Sequence, residues 1–227
     1  MGTLYAGTSG FSYPGWRGGF YPEKLPAAGM LEHYAGILNG VELNGSFYRT
    51  PPEATLRRWG AQVPAGFRFC FKAQRALTYS GPAFDKESVA SGFGGRLACL
   101  GGQLGPVLVQ FPPVARPDPG LLDRVLAALR LPAAVEFRNE AWFGEETCSV
   151  LRAHGAALVV TDQAEWPRAP RVETGPFAYY RLRREYDRSQ LDGWRRELRA
   201  EAGGREAVHA YFRHVDEGPR RARFVLE

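Results

Sequence analysis

Histidine, lysine and cysteine are all scarce in this chain, and each shortage narrows the chemistry it can perform. Four histidines are too few and too scattered for a histidine-built metal centre; His33 falls within a helical stretch, His154 precedes the Gly155 helix stop, and His209 begins a strand, which leaves His214. The three cysteines, Cys70, Cys99 and Cys148, are odd in number, far apart and in no metal-like spacing, so reduced thiols are expected and no disulfide partner. No apolar run approaches the roughly 18 residues of a membrane helix. The opening MGTLYAGTSG lacks a basic segment followed by an apolar stretch, so the expected location is cytoplasmic, with no membrane partner. Of 29 basic side chains only Lys24, Lys72 and Lys86 are lysines, so a lysine at a strand end carries more weight than any single arginine.

What is present is a chain able to bury a large core. Its 227 residues are 44% hydrophobic and 13% aromatic, and no linker interrupts them, which predicts a single domain over residues 1–227. A net charge of +5 favours an anionic partner, either a small molecule or nucleic acid.

Six strand-like runs, VELN, FRFCFK, VLVQF, AVEFR, LVVTD and YYRLR, end in polar or charged residues. A parallel strand covered on both faces reads as an unbroken apolar run, so ionisable residues at its C-terminal end require a reason. Val41 and Leu43 alternate with Glu42 and Asn44, and Val135 and Phe137 alternate with Glu136 and Arg138. Because the period is two, the charge of each strand falls on one face. Lys72 follows Phe67, Phe69 and Phe71 in the same way, Gln110 follows Val107 and Val109, and Arg181 and Arg183 alternate with Tyr180 and Leu182.

Strands alternate with helical periods along the whole chain, the clearest stripe being Leu121, Leu122, Val125, Leu126 and Leu129. Eight such strands predict an α/β fold of the (β/α)₈ TIM type more than an open sheet. The Pro-rich segment QAEWPRAPRVETGP predicts no regular sixth helix, and the few residues after the eighth strand predict a short last one. In a barrel the working residues lie at the C-terminal ends of the strands and in the loops beyond them. The polar ends then form a ring of Glu42 and Asn44, Lys72, Gln110, Glu136 and Arg138, Asp162, Arg181, and Arg213 with His214. The loops above are aromatic, with Tyr13, Trp16, Tyr48 and Trp142 the candidates to stack on a ligand, or alternatively to seal the barrel top.

GTSGFSYPGWRGGFYP, VELNGSFYRTPP, FRFCFKAQRALTY, LGPVLVQFPP, AVEFRNEAWF and VVTD together resemble the successive motifs of the YecE-like family, domain of unknown function seventy-two. The resemblance covers nearly the whole chain and implies a (β/α)₈ barrel whose cleft includes Glu42, Asn44, Lys72, Gln110, Glu136, Arg138, Asp162 and Arg181. It implies no reaction. RLRR at 181–184 stands where the family usually carries Arg-Leu-His-Gly, and FRHVDEG stands where an Asn pair usually follows the last strand.

The chemistry expected from these residues is an enzyme acting on a phosphate-bearing substrate, nucleic acid included. Glu42 and Glu136 are placed as an acid and base pair, and Glu136 and Asp162 as the alternative, sharing a divalent metal for hydrolysis. Lys72 beside Glu42 is expected to stay protonated, which suits anion binding with Arg138 and Arg181 and disfavours a Schiff base. Two other readings remain: a non-catalytic binder of a nucleotide, sugar phosphate or nucleic-acid strand, and a sugar isomerase or lyase.

Overall fold

The computed structural model describes residues 2–79 and 84–227. Its nine strands are β1 (Thr3–Thr8), β2 (Gly40–Leu43), β3 (Arg68–Phe71), β4 (Val107–Phe111), β5 (Ala133–Phe137), β6 (Ala157–Leu158), β7 (Val160–Asp162), β8 (Phe177–Leu182) and β9 (Ala207–Phe212). Every pairing is parallel: β1 with β9, β9 with β8, β8 with β7, β2 with β3, β4 with β5, and β5 with β6. Single bridges close the remaining gaps, Ser9 to Glu42 between β1 and β2, and Lys72 to Leu108 between β3 and β4. The strand expected at LVVTD is interrupted at Val159, whose N–H turns to the Val135 carbonyl of β5, so β6 follows β5 while β7 joins β8. The two halves act as one staggered strand, and the ring is an eight-stranded barrel.

Among the described residues eight α-helices cover it: α1 (Met30–Ala35), α2 (Glu53–Ala61), α3 (Arg75–Tyr79), α4 (Lys86–Leu97), α5 (Pro119–Leu129), α6 (Glu145–Ala153), α7 (Arg188–Gly203) and α8 (Gly218–Leu226). Local signals explain their ends. Asp118 caps α5 by accepting from Leu121 N–H at 2.8 Å, Pro119 opens it, and Leu122, Val125, Leu126 and Leu129 form its buried stripe. A capping box of Asp187 and Gln190 starts α7. Residues 163–176 contain no helix, and α8 is only nine residues long, both as expected. The short α3 is not anticipated by the sequence pattern, yet it sets Arg75 and Tyr79 beside the C-terminal end of β3.

Two hydrophobic layers follow from strand alternation. Val107, Val109 and Phe111 of β4 face the helices, while Leu108 joins Cys70, Ala134, Val159, Tyr179 and Tyr211 inside the barrel. The three cysteines are free, Cys70 and Cys148 buried. Inside the barrel, His209 is stacked on Tyr5 at 5.0 Å and lies 3.3 Å from the Tyr211 hydroxyl, as a packing group of the interior.

The approach of β1 to β2 depends on glycine at position 7. A Cβ at Gly7 would sit 1.8 Å from the Gly40 carbonyl oxygen, and the Tyr34 hydroxyl, donating to that oxygen at 3.1 Å, fills the remaining space. Gly7→Ala is therefore expected to destabilise the fold by about 3 kcal/mol, the upper range for overpacking a closed core. Gly15→Ala, where a Cβ meets nothing within 4 Å, serves as the control. Equal urea midpoints for the two variants would contradict this account of the β1–β2 junction.

Candidate functional site

Glu42 at the end of β2 is wholly buried, as is Glu136 on β5, and Arg181 on β8 reaches both. Arg181 Nε and Nη2 donate to Glu42 Oε2 and Oε1 at 2.9 Å each, while its Nη1 donates to Glu136 Oε2. Arg183 Nη2 adds a third guanidinium contact to Glu42 Oε1 at 2.6 Å. The Ser9 hydroxyl, the Asn44 amide and the Tyr179 hydroxyl complete the shell of Glu42 at 3.0, 3.2 and 3.0 Å. Glu136 Oε1 accepts from Gln110 Nε2 at 2.7 Å and Arg138 Nε at 3.1 Å. The period-two pattern puts these groups on the inner face, and parallel pairing brings the strand ends to one level.

The electrostatics follow from that shell. Burial alone would raise the Glu42 carboxyl pKa, but the charges of Arg181 and Arg183 and their hydrogen bonds hold it well below the usual carboxylate range. Glu136 is drawn down to about 2 by Arg181 and Arg138 against the same desolvation. Both acids are ionised at neutral pH and have their oxygens occupied. They orient guanidinium groups and are poorly suited to trade protons with a substrate.

Above this layer opens a cleft of about 990 Å³. Seven cations reach its wall, Lys72, Arg75, Arg138, Arg181, Arg183, Arg184 and Arg213, against the carboxylates Glu165 and Glu185. Among the described residues Lys72, Arg75 and Arg213 pair with no carboxylate. The Lys72 ammonium instead rests 4.1 Å from the centre of the Phe47 ring. Its expected protonation by Glu42 does not hold in full: burial and the nearby Arg181 and Arg138 charges outweigh the two glutamates and lower its pKa to about 8. The carboxylates are spent on the arginines, so the lysine feels the surplus positive charge.

Asn44, Tyr48, Lys72, Gln110, Arg138, Arg181 and His214 all line the cleft, with Glu42 and Glu136 directly beneath. Trp16 and Trp142 are instead buried packing groups. Trp142 lies 4.5 Å from the Phe137 ring and donates its indole N–H to the Ala115 carbonyl, and Trp16 packs against Tyr13, Phe20 and Tyr21. Tyr13 stacks on His214 at 4.9 Å and donates to the Ser9 carbonyl, acting one layer behind the wall. Burial and the charges of Arg183 and Arg213 lower the His214 pKa, leaving that ring a neutral group. Asp162 accepts from the Tyr186 hydroxyl at 2.8 Å and faces Arg184 at 3.6 Å, apart from the contacts of Glu136. With Glu136 held by three donors, that pair does not fit a shared divalent ion; a cation there would have to displace guanidinium groups. Among the described residues no group of three His, Cys, Asp or Glu side chains is gathered for a metal.

Tyr179, Arg75 and Tyr79 are site residues that sequence reasoning did not single out. Tyr179 was within reach of it, because extending the alternation of Arg181 and Arg183 back by two gives Tyr179. Arg75 and Tyr79 depend on the unforeseen α3. Arg183 binds both Glu42 and the Ser9 hydroxyl.

Two stability predictions arise from this layer. Glu42 and Glu136 titrate below their unfolded values, so their contribution is present above pH 4.5 and is lost as pH falls through that range. Buried His209, pushed down to about 3, adds a loss beginning below 6.5, because the unfolded chain takes up a proton the folded one refuses. Unfolding free energy should decline by about 1.4 kcal/mol per pH unit below that point from His209 alone. His209→Gln should flatten that limb of a stability-against-pH curve, and an unchanged slope would rule His209 out. Arg181→Gln, which strands two buried carboxylates, is expected to cost about 3–5 kcal/mol at neutral pH. Its deficit should shrink on acidification, measured by urea unfolding.

Residues 5–226 match the model of the family described as "Protein of unknown function DUF72". Over 180 residues the chain is 29% identical to the UPF0759 protein YunF of Bacillus subtilis (strain 168), covering 71% of this chain and 61% of that relative's length. Among solved structures, a DUF72 family protein of Thermotoga maritima MSB8 superposes with a TM-score of 0.82 at 24% identity, covering 99% of this chain and 97% of the other. One of Enterococcus faecalis V583 gives 0.80 at 18%, covering 99% and 96%. D-psicose 3-epimerase from Clostridium cellulolyticum H10, solved with D-tagatose, gives 0.56 at 11% identity over 98% of this chain and 96% of the other, a likeness of fold alone. The ordered strand-end motifs and the match along almost the entire chain lead to one conclusion: the chain belongs to the DUF72 family, the YecE-like family its motifs resemble.

Proposed function

We propose that this barrel is an enzyme acting on a phosphate-bearing substrate, bound in the cleft at the C-terminal ends of its strands. The observation that carries this reading is the surplus of cations in the cleft. The glutamates below are saturated by Arg138, Arg181 and Arg183, yet Lys72, Arg75 and Arg213 line the wall with no carboxylate partner among the described residues. Such a wall is desolvated only at a cost, which an incoming phosphate offsets through charge-assisted hydrogen bonds. Guanidinium groups held by buried carboxylates are fixed before the ligand arrives, which reduces the ordering cost of binding.

Within this reading Glu42 and Glu136 position arginines, and the groups free to act on substrate are Lys72 and His214. The second reading, a non-catalytic binder of a nucleotide, sugar phosphate or nucleic-acid strand, is favoured by the same locked carboxylates. Turnover separates the two: a binder gives ligand-dependent stabilisation with no product from any ligand that stabilises it.

A thermal-shift series with inorganic phosphate, sugar phosphates and nucleotides tests the shared premise. A ligand at roughly 100 times its Kd stabilises by about 2.7 kcal/mol, which moves Tm by several degrees. The shift is expected from phosphorylated compounds and to weaken about tenfold in apparent affinity in Arg213→Ser. No shift from any of them at millimolar concentration would overturn the phosphate reading. For oligonucleotides the expected signature is an affinity that falls steeply with salt. A flat response would remove nucleic acid from the substrate class.

A further inference from the structure

Among the described residues, two side-chain oxygens on the strands flanking that of Lys72, Asn44 Oδ1 and Gln110 Oε1, are buried with no hydrogen-bond donor. Their orientation is fixed by chemistry. Asn44 Nδ2 donates to Glu42 and Gln110 Nε2 donates to Glu136, and flipping either amide would set its oxygen against an ionised carboxylate. Both residues line the cleft, from the strands on either side of β3, whose end carries Lys72. An orphaned buried acceptor costs about 1–3 kcal/mol, and a hydroxyl of a bound molecule is the donor that would relieve it.

Lys72 itself has the surroundings of an amine nucleophile. Its head group rests on the Phe47 ring, has no carboxylate partner among the described residues, and opens onto the cleft. Burial and the neighbouring arginines bring its pKa down to about 8, so a useful fraction is neutral near physiological pH. In the eight-strand ring, β3 lies across the barrel from β8, and the Arg181 side chain crosses the mouth from β8 to Glu42 and Glu136, which brings its charge near the Lys72 amine.

Resting on the phosphate reading above, we propose that the substrate is a phosphorylated hydroxycarbonyl compound, an open-chain sugar phosphate, and that Lys72 Nζ condenses with its carbonyl carbon. The phosphate lies toward Arg183 and Arg213, and hydroxyls donate to Asn44 Oδ1 and Gln110 Oε1. The neutral amine adds to the carbonyl carbon, the carbonyl oxygen takes up both amine hydrogens and leaves as water, and a carbon–nitrogen double bond remains. Nothing is oxidised or reduced. Protonated, that imine withdraws electrons from the adjacent carbon, which suits the isomerase or lyase class of reaction.

Reductive trapping tests the step. The wild-type protein is incubated with ribose 5-phosphate or dihydroxyacetone phosphate and cyanoborohydride, then mapped by peptide mass spectrometry. The expected product is a secondary amine on Lys72, heavier by the probe's mass less one oxygen atom, with Lys24 and Lys86 as internal comparisons in the same sample. Its rate should rise with pH through about 8. Inorganic phosphate should slow it, and unphosphorylated ribose should label Lys72 at least about tenfold more slowly. Labelling of Lys72 no faster than of Lys24 and Lys86 overturns the imine. If phosphate still shifts Tm in that case, the cleft's phosphate reading stands. Equal labelling by ribose and its phosphate retains the imine and removes the phosphate. Since the readout compares lysines within one folded protein, it does not depend on a variant that folds.

Discussion

One guanidinium group holds the mouth of this barrel together. The backbone ladder is discontinuous: β1, β9, β8 and β7 form one hydrogen-bonded segment, β2 and β3 a second, β4, β5 and β6 a third. Arg181 stands on the first, and its partners Glu42 and Glu136 stand on the second and third. The side-chain layer thus supplies, at the C-terminal end, cross-links that the main chain provides only through isolated bridges. Three charges in so dry a place are tolerable because each oxygen and each guanidinium nitrogen of the central arginine is used.

The charge arithmetic of that layer decides the character of the cleft above it. Two carboxylates face three guanidinium groups, so the layer presents residual positive charge upward before Lys72, Arg75 and Arg213 are added. The aromatic loops contribute differently from what their composition suggests. Trp16 and Trp142 close the barrel top by packing, while Phe47, Tyr48 and Tyr79 form a cluster of edge-to-face rings along the cleft.

Much of this was legible in the residues. Glu42, Lys72, Gln110, Glu136 and Arg181 are visible because polar and ionisable groups interrupt apolar strands with period two, and the barrel follows from the count of strand and helix units. The roles of the carboxylates were less legible, since a pattern places Glu42 and Glu136 on one face without stating which cation each meets. Arg181 spans 139 positions of sequence to reach Glu42, and Arg183 spans 141, and that pairing turns two expected acid–base residues into supports. The same long-range pairing explains Lys72, whose neighbouring acid is already neutralised. Trp142 could not be assigned from its loop alone, because its burial depends on Phe111 and Phe137 from two separate strands.

The break at Val159 bears on how such a cleft can diversify. Beyond β7 the chain runs from 163 to 176 without a helix, and Gln163, Ala164 and Glu165 from its start form part of the cleft rim. That stretch forms no helix, and although Ala169 and Thr174 are buried and Trp166 lies under the Arg138 guanidinium, its first residues, Gln163 to Glu165, sit at the rim, where substitutions leave the ring and its arginine latch untouched. The sixth wall is the side on which ligand preference is freest to drift, while the opposite wall, where β2 carries Glu42 into the arginine latch, stays fixed.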